Sequence, residues 1–200
     1  MNALRADLAQ VVRWIRPGSR VLDLGCGDGH LLRTLREQRQ VTGYGLEIDP
    51  DEITGSLANG VNVIQTDLDA GLPDFEAGSF DYVVMTQTLQ AVRYPRQVLD
   101  EILRIGREGI VTFPNFAHWR LRLYLSFWGR MPMSRALGYM WYDTPNIHLC
   151  TIHDFEELCR ERNIVILERR MLSGRMQPSA VANLLPNLLA EIAVYRIQRG

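Results

Sequence analysis

Glycine at every second position, Gly25, Gly27 and Gly29, leaves few architectures open when the run stands between an apolar pentapeptide and a helical pattern. Here Arg20–Leu24 (RVLDL) precedes the run, and Leu31, Leu32 and Leu35 follow it at helical spacing. Glycine is needed where the backbone turns tightly and a ligand must lie against bare main chain. A glycine loop at the carboxyl end of a first strand is where open α/β sheets bind ligands. A dinucleotide site asks for G-x-G-x-x-G with a pyrophosphate over the helix N-terminus. His30 occupies the place of that third glycine, which comes one residue early, so a nicotinamide dehydrogenase is disfavoured. Asp23 also sits two residues before the loop, and a carboxylate there suits a cationic ammonium better than a pyrophosphate.

The remainder of the chain continues the strand–helix rhythm. Leu4, Leu8, Val11, Val12 and Ile15 predict an amphipathic first helix that stops at Pro17-Gly18. Residues 40–48 predict a second strand, and Asp49-Pro50 opens a helix with an acidic first turn. Strands are expected at Val61–Gln65, Phe80–Met85 and Gly109–Phe113, with a helix near Arg96–Arg104. Thr151–Arg162 reads as a capped helix, and Ile164–Leu167 and Ile192–Ile197 as closing strands. Pro186 interrupts the apolar run before the last of these. Alternation of this kind indicates βαβ crossovers and a parallel sheet. Residues 1–200 are expected to form one domain, a doubly wound α/β sandwich around a mostly parallel, seven-stranded sheet. An aromatic-rich helical insertion or cap is expected at about 114–150, which holds 8 of the 17 aromatic side chains.

Composition removes several classes of function. A net charge of −1 argues against a protein that coats nucleic acid, since phosphate binding relies on a strong basic field. All 22 basic residues are arginine, which excludes a Schiff-base lysine or a P-loop. No uncharged apolar stretch reaches ~18 residues, so no membrane span is expected. The N-terminus lacks the apolar core of a secretory signal. Three cysteines, an odd count without an export signal, read as reduced thiols in a cytoplasm.

Two further acids fall on successive strand ends. Glu47 closes the second strand, 22 residues after Gly25, where a carboxylate can accept both ribose hydroxyls of an adenosine. Asp67-Leu68 follows the third strand, a polar and an apolar residue suited to an adenine edge and face. Each alone has an ordinary structural explanation, a turn or a solvated loop acid. Their order along the chain is far more specific.

This pattern resembles the class I S-adenosylmethionine-dependent methyltransferases, whose first motif reads D-x-G-x-G-x-G. The resemblance implies that Gly25, Cys26 and Gly27 pass the methionine moiety of S-adenosylmethionine or S-adenosylhomocysteine, with Asp23 holding its amino group. Glu47 would take the ribose, Asp67 with Leu68 the adenine, Thr86-Gln87 would line the sulfonium side, and Ile48 would also lie against the cofactor. Arg20–Gly29, Gly43–Asp49, Tyr82–Val92, Gly106–Phe116 and Trp141–Phe155 are similar, more narrowly, to the MetW methionine-biosynthesis family. That likeness implies a homoserine O-acyltransferase as partner. It leaves open a homo-oligomer, and a stand-alone small-molecule methyltransferase in place of a partner subunit.

Other candidates carry weaker signals. His148, Cys150, His153 and Cys159 are spaced too irregularly for a zinc site, and no metal is expected. Cys26 lies near a helix N-terminus but has no evident base, and reads as small filler. The amine-methylating N-P-P-Y pattern is absent, because Thr86-Gln87-Thr88-Leu89 stands in its place. His118, Tyr142, Asp143 and His148 are the candidate bases. The aromatic stretch 114–142 reads either as a cap over the sheet, as a substrate-reading wall, or as a partner surface with Arg120, Arg122, Arg130 and Arg135 as carboxylate readers.

Overall fold

The central strands are apolar on both faces and must be covered on both. In β1 (Arg20–Leu24) and β4 (Phe80–Thr86), Val21 and Val84 point to one layer while Leu22, Leu24, Val83 and Met85 point to the other. This is the twofold side-chain alternation of a strand buried on both sides. The computed structural model describes residues 5–134, 137–173, 177–178 and 180–200, with backbone alone at 177–178 and 180–181. Leu4 and Arg135 therefore lie outside the described residues.

All strands join one sheet in the order β3-β2-β1-β4-β5-β8-β6-β7. β2 (Thr42–Glu47), β3 (Val63–Gln65), β1, β4 and β5 (Gly106–Pro114) run parallel. β8 (Ile192–Arg199) pairs antiparallel with β5 and with β6 (Ile164–Ser173). Seven strands form the sheet proper, and β7 (Gln177–Pro178) adds a two-residue pairing at its edge. The chain leaves β1 toward β2 on one side and returns to β4 on the other. The strand order thus reverses between β1 and β4, the position at which open α/β sheets bind ligands.

Helices cover both faces. α1 (Ala6–Trp14) and α2 (His30–Arg39) close one layer over Val21, Val84, Ile110 and Val194. α4 (Pro95–Ile105) and α6 (Ile152–Glu161) close the other, where Phe113, Phe155 and Tyr195 meet with ring centroids 4.7 to 5.9 Å apart. α3 (Pro50–Ala58) starts at Asp49, whose side chain accepts from Asp51 N at 2.8 Å. Thr151 caps α6 in a reciprocal capping box with Asp154. Short helices α7 (Ala180–Leu184) and α8 (Pro186–Leu189) precede β8, with Pro186 in the first turn, where its missing N–H costs nothing.

Two expectations need correction. β6 runs to Ser173 rather than Leu167, because the charged residues after Leu167 are paired from β8 and α6 and the strand ends on the buried Met171 and Leu172. Arg196 meets Glu168 at 2.6 Å, and Arg169 meets Glu156 at 2.6 Å. Among its described residues the 114–150 insertion is helical only in α5 (Trp119–Trp128). Gly129, at φ 60°, terminates that helix, and Pro132 and Pro145 stand where a helix would have to continue. The described residues beyond it, to Cys150, form neither helix nor strand.

Candidate functional site

The glycine loop runs through left-handed backbone angles that glycine adopts without strain. Gly25, Gly27 and Gly29 take φ of 71°, 55° and 73°. Gly25 N and Cys26 N both donate to Leu46 O, at 2.8 and 3.1 Å, which pins the loop to the end of β2. A Cβ on Gly25 would stand 2.6 Å from the Thr88 side chain, and one on Gly45 would stand 2.3 Å from Cys26 Sγ. Cys26 therefore fills the space that Gly45 leaves. Burial, then the nearby Asp23 carboxyl, pushes its thiol up to about 12, while Sγ rests 3.7 Å from Ser56 Oγ. Such a thiol is no nucleophile at neutral pH.

The carboxylates beside the loop have contrasting environments. Asp23 lies in register with Gly45 on β2 and Val84 on β4, at 1% exposure. Its Oδ1 has no hydrogen-bond partner. Burial first, then the Glu47 charge, raises its carboxyl to about 7, and the Arg5 guanidinium pulls in the other direction. Glu47, the last residue of β2, accepts Gly27 N on Oε2 at 2.9 Å, and Ile48 N and Asp49 N on Oε1 at 2.8 and 3.1 Å. A carboxylate has about four acceptor positions, so one remains on Oε2. Ile48 itself is exposed. Glu52 in α3 is also raised, by burial and then by Asp28, Glu47, Asp49 and Asp51. The edge is acidic throughout.

Toward the flanks the edge is built from turns. Thr66 N donates to Glu47 O at 3.0 Å, which places Asp67 on the same edge. Asp67 is exposed and spends Oδ1 on Asp69 N at 2.9 Å, capping the short 3-10 turn Leu68–Ala70. Leu68 is half-buried against the core. Thr86 closes β4 in register with Thr112. Gln87 follows at φ 54°, its N–H donating to Thr112 O at 2.9 Å and lying 3.1 Å from Thr112 Oγ1.

Asp23, the glycine loop and Glu47 are thus brought into direct contact or register. Thr86-Gln87 and Asp67-Leu68 stand beside them along one carboxyl edge. The sequence reading missed Arg5 and Asp7. Asp7 is fully buried, accepts from Arg5 at 3.0 and 3.2 Å and from Gln87 Nε2 at 2.9 Å. Its signal was available, since an aspartate four residues before Val11 falls on the apolar stripe of α1.

The candidate bases do not converge. His118 caps α5, its Nδ1 accepting from Arg120 N at 3.4 Å, and burial lowers its affinity for a proton. Tyr142, Asp143 and His148 are exposed on the loop beyond α5. Among the described residues no group of three or more histidine, cysteine or acidic side chains could hold a metal ion. Cys150 and Cys159 are both raised to about 12, chiefly by burial. No described helix is long and apolar enough to cross a membrane.

Comparison with solved structures agrees with this architecture. A SAM-dependent methyltransferase from Mesorhizobium loti superposes with a TM-score of 0.68, at 16% identity, covering 96% of this chain and 98% of that one. One from Archaeoglobus fulgidus gives 0.69 at 13% identity, covering 98% and 92%. At these identities the likeness is one of fold: a Rossmann-like methyltransferase sandwich.

Sequence comparison is more specific. A bifunctional methionine biosynthesis protein MetXA/MetW of Rhodopirellula baltica is 36% identical over 205 residues, covering 98% of this chain and 33% of that protein. A ubiquinone biosynthesis O-methyltransferase of Erwinia tasmaniensis is 32% identical over 119 residues, covering 56% of this chain and 48% of that one. The chain thus spans a third to a half of the length of these relatives. The family model of the methionine biosynthesis protein MetW matches residues 5–197, and the chain belongs to that family.

Proposed function

We propose that this chain binds S-adenosylmethionine, or its demethylated product, at the carboxyl edge of β1, β2 and β4, and works in the cytoplasm with a homoserine O-acyltransferase. The observation that carries the ligand reading is the orphaned, buried Oδ1 of Asp23 beside the bare loop. A buried carboxylate without a partner is costly, and a ligand ammonium would supply one. The residues fit the group. Asp23 would hold the ammonium, Gly25–Gly27 would lie against the methionine moiety, and Glu47 would accept a ribose hydroxyl on its remaining Oε2 position. Asp67 and Leu68 would border the adenine, and Thr86 and Gln87 the sulfonium.

When bound, S-adenosylmethionine supplies an electrophilic methyl group on a sulfonium. Transfer of that methyl can run on proximity and orientation alone. The chain's own contribution on this reading is to orient the ligand and to pair its ammonium with the Asp23 carboxylate.

The acyltransferase reading is supported by the MetXA/MetW relative, in which the region like this chain is one third of a bifunctional protein. A second reading, a stand-alone methyltransferase of small molecules, is favoured by the 119-residue match to an O-methyltransferase. Calorimetric titration with S-adenosylmethionine, S-adenosylhomocysteine and NAD tests both, with and without the acyltransferase of the same genome. Binding of the adenosyl compounds alone, tightened by the acyltransferase, is the expected result. Methyl turnover that ignores the acyltransferase would establish the second reading, and binding of NAD alone would sink both.

A further inference from the structure

We infer that the aromatic face spanning α5 and the described residues 129–134 and 137–149 is a docking surface for the acyltransferase, entered by an apolar knob with a carboxylate rim. The inference rests on the partnership proposed above and adds its location and chemistry. Burial is inverted along this stretch. Within α5 the only buried side chain is Leu121, while Phe127 and Trp128 are 75% and 65% exposed and Trp141 is 72% exposed. Tyr124 stacks on Trp128 at 5.6 Å and itself lines a cavity of about 580 Å³ together with Arg130, Met133 and Trp141. Exposed aromatic and methionine side chains clustered around a concavity mark contact surfaces, because leaving them in water forfeits their burial energy.

The face is also held in place before any partner arrives. Ile147 N and His148 N both donate to Gln90 O, at 2.9 and 3.0 Å, and Phe116 N donates to Cys150 O at 3.0 Å. Arg122 Nε closes on Ala117 O at 2.5 Å. A surface fixed in this way loses little conformational freedom on binding. Gln90 Nε2 in turn donates to Gln87 O at 2.6 Å, so the face is fastened to the turn that borders the proposed ligand site.

Charge decides what covers it. Residues 119–149 contain four arginines against a single acid, Asp143. Among the described residues Arg120, Arg122 and Arg130 enter no ion pair; Arg120 lies over the Trp119 ring at 5.3 Å. A second copy docked face to face would bring two sets of these cations into one interface with only Asp143 of each copy to offset them, which disfavours it. A bilayer is a poor fit, because the described backbone between Gly129 and Cys150 is irregular, and irregular backbone is not tolerated against hydrocarbon. A protein surface that supplies both carboxylates and apolar knobs satisfies every feature.

The test is the dissociation constant between the purified chain and the homoserine O-acyltransferase of the same genome, for wild type, Phe127→Ser/Trp128→Ser and Arg130→Glu. All three side chains are solvent-facing, and adenosyl-ligand affinity is measured in parallel as a check on folding. The expected result is weakening of about thirtyfold or more in the double variant. For Arg130→Glu it is a loss with reduced salt dependence, and ligand affinity is retained in both. Wild-type binding that neither variant alters would overturn the location while leaving the partnership intact. No wild-type binding at all would overturn the partnership as well. Loss of self-association, or of binding to phosphatidylglycerol vesicles, with acyltransferase affinity unchanged would assign the face to that other occupant and overturn the inference.

Discussion

Gln87 Nε2 donates to the buried carboxylate of Asp7 at 2.9 Å, across eighty residues of sequence, and so fastens the first helix to the carboxyl end of β4. The same carboxylate pairs with Arg5, whose side chain is half exposed. One turn of α1 therefore closes over the edge where Asp23 and Glu47 stand. Truncating Asp7 leaves the Gln87 amide without its acceptor and a void beneath α1. Asp7→Ala is expected to cost about 3 kcal/mol, read as a shift in urea midpoint. Asp7→Asn, which keeps an acceptor oxygen, is expected to cost about half as much. Equal costs would show that the hydrogen bond to Gln87 contributes nothing.

Asp23 gives a dependence on pH whose sign is fixed. Its carboxyl is raised from 3.8 to about 7 in the folded chain. Between those values the native state keeps a proton that the unfolded chain has released, so stability falls as pH rises through that window. Above about 7 the penalty is complete, on the order of 4 kcal/mol at most. Asp23→Asn should therefore gain stability relative to wild type between pH 4 and 7, measured as urea midpoints at pH 5 and 8.

The same titration governs the proposed ligand. An ammonium is held by the carboxylate, so affinity for S-adenosylhomocysteine should rise about tenfold per pH unit up to about 7 and then level. Glu47 is the second cause of the raised value, so Glu47→Gln should move the break to lower pH. Calorimetry across pH 5 to 8 reads both effects. A flat profile would remove Asp23 from the site.

Gly25 is tested by a pair of substitutions. At φ 71° and with Thr88 atoms 2.6 Å from its missing Cβ, Gly25→Ala incurs both strain and collision. The expected loss is about 2–4 kcal/mol. Adding Thr88→Ala removes the collision and leaves the strain, so part of the loss should return in thermal unfolding. Complete recovery would mean that the backbone angle carries no cost.

Asn115 links β5 to the chain before β8. It is 1% exposed, donates through Nδ2 to Asn187 O and Ala190 O at 3.1 and 2.9 Å, and accepts from Ala117 N at 3.1 Å. Asn115→Leu should destabilise by about 3 kcal/mol, since it strands buried backbone groups. Asn115→Asp should do so as well, because it replaces a double donor. Ligand affinity in either variant should stay within about twofold for the folded fraction.

The architecture was legible because it is written in short-range pattern. The β1–loop–α2 unit, the acidic start of α3 at Asp49-Pro50 and the capping box at Thr151 are each set by neighbours within a few residues. Glu47 and Asp67 fall on strand ends for the same reason. The reading failed where polar residues are satisfied from afar. Glu168 and Arg169 break the apolar run that marks the strand until Arg196 and Glu156 are set beside them. Asp7 looks like an interruption of α1 until Gln87 arrives to meet it.

What the sequence determines by itself is thus the order of strands and helices, the glycine loop, and which acids stand at strand ends. The three-dimensional arrangement decides whether those acids are charged and which apolar side chains meet water. Asp23 is raised because β2 and β4 enclose it, and Phe127, Trp128 and Trp141 stay exposed because, among the described residues, no distant segment comes to cover them. The reason is one of range. Backbone preference and side-chain periodicity act over a few residues, whereas desolvation and Coulomb energy depend on whichever distant segments fold alongside.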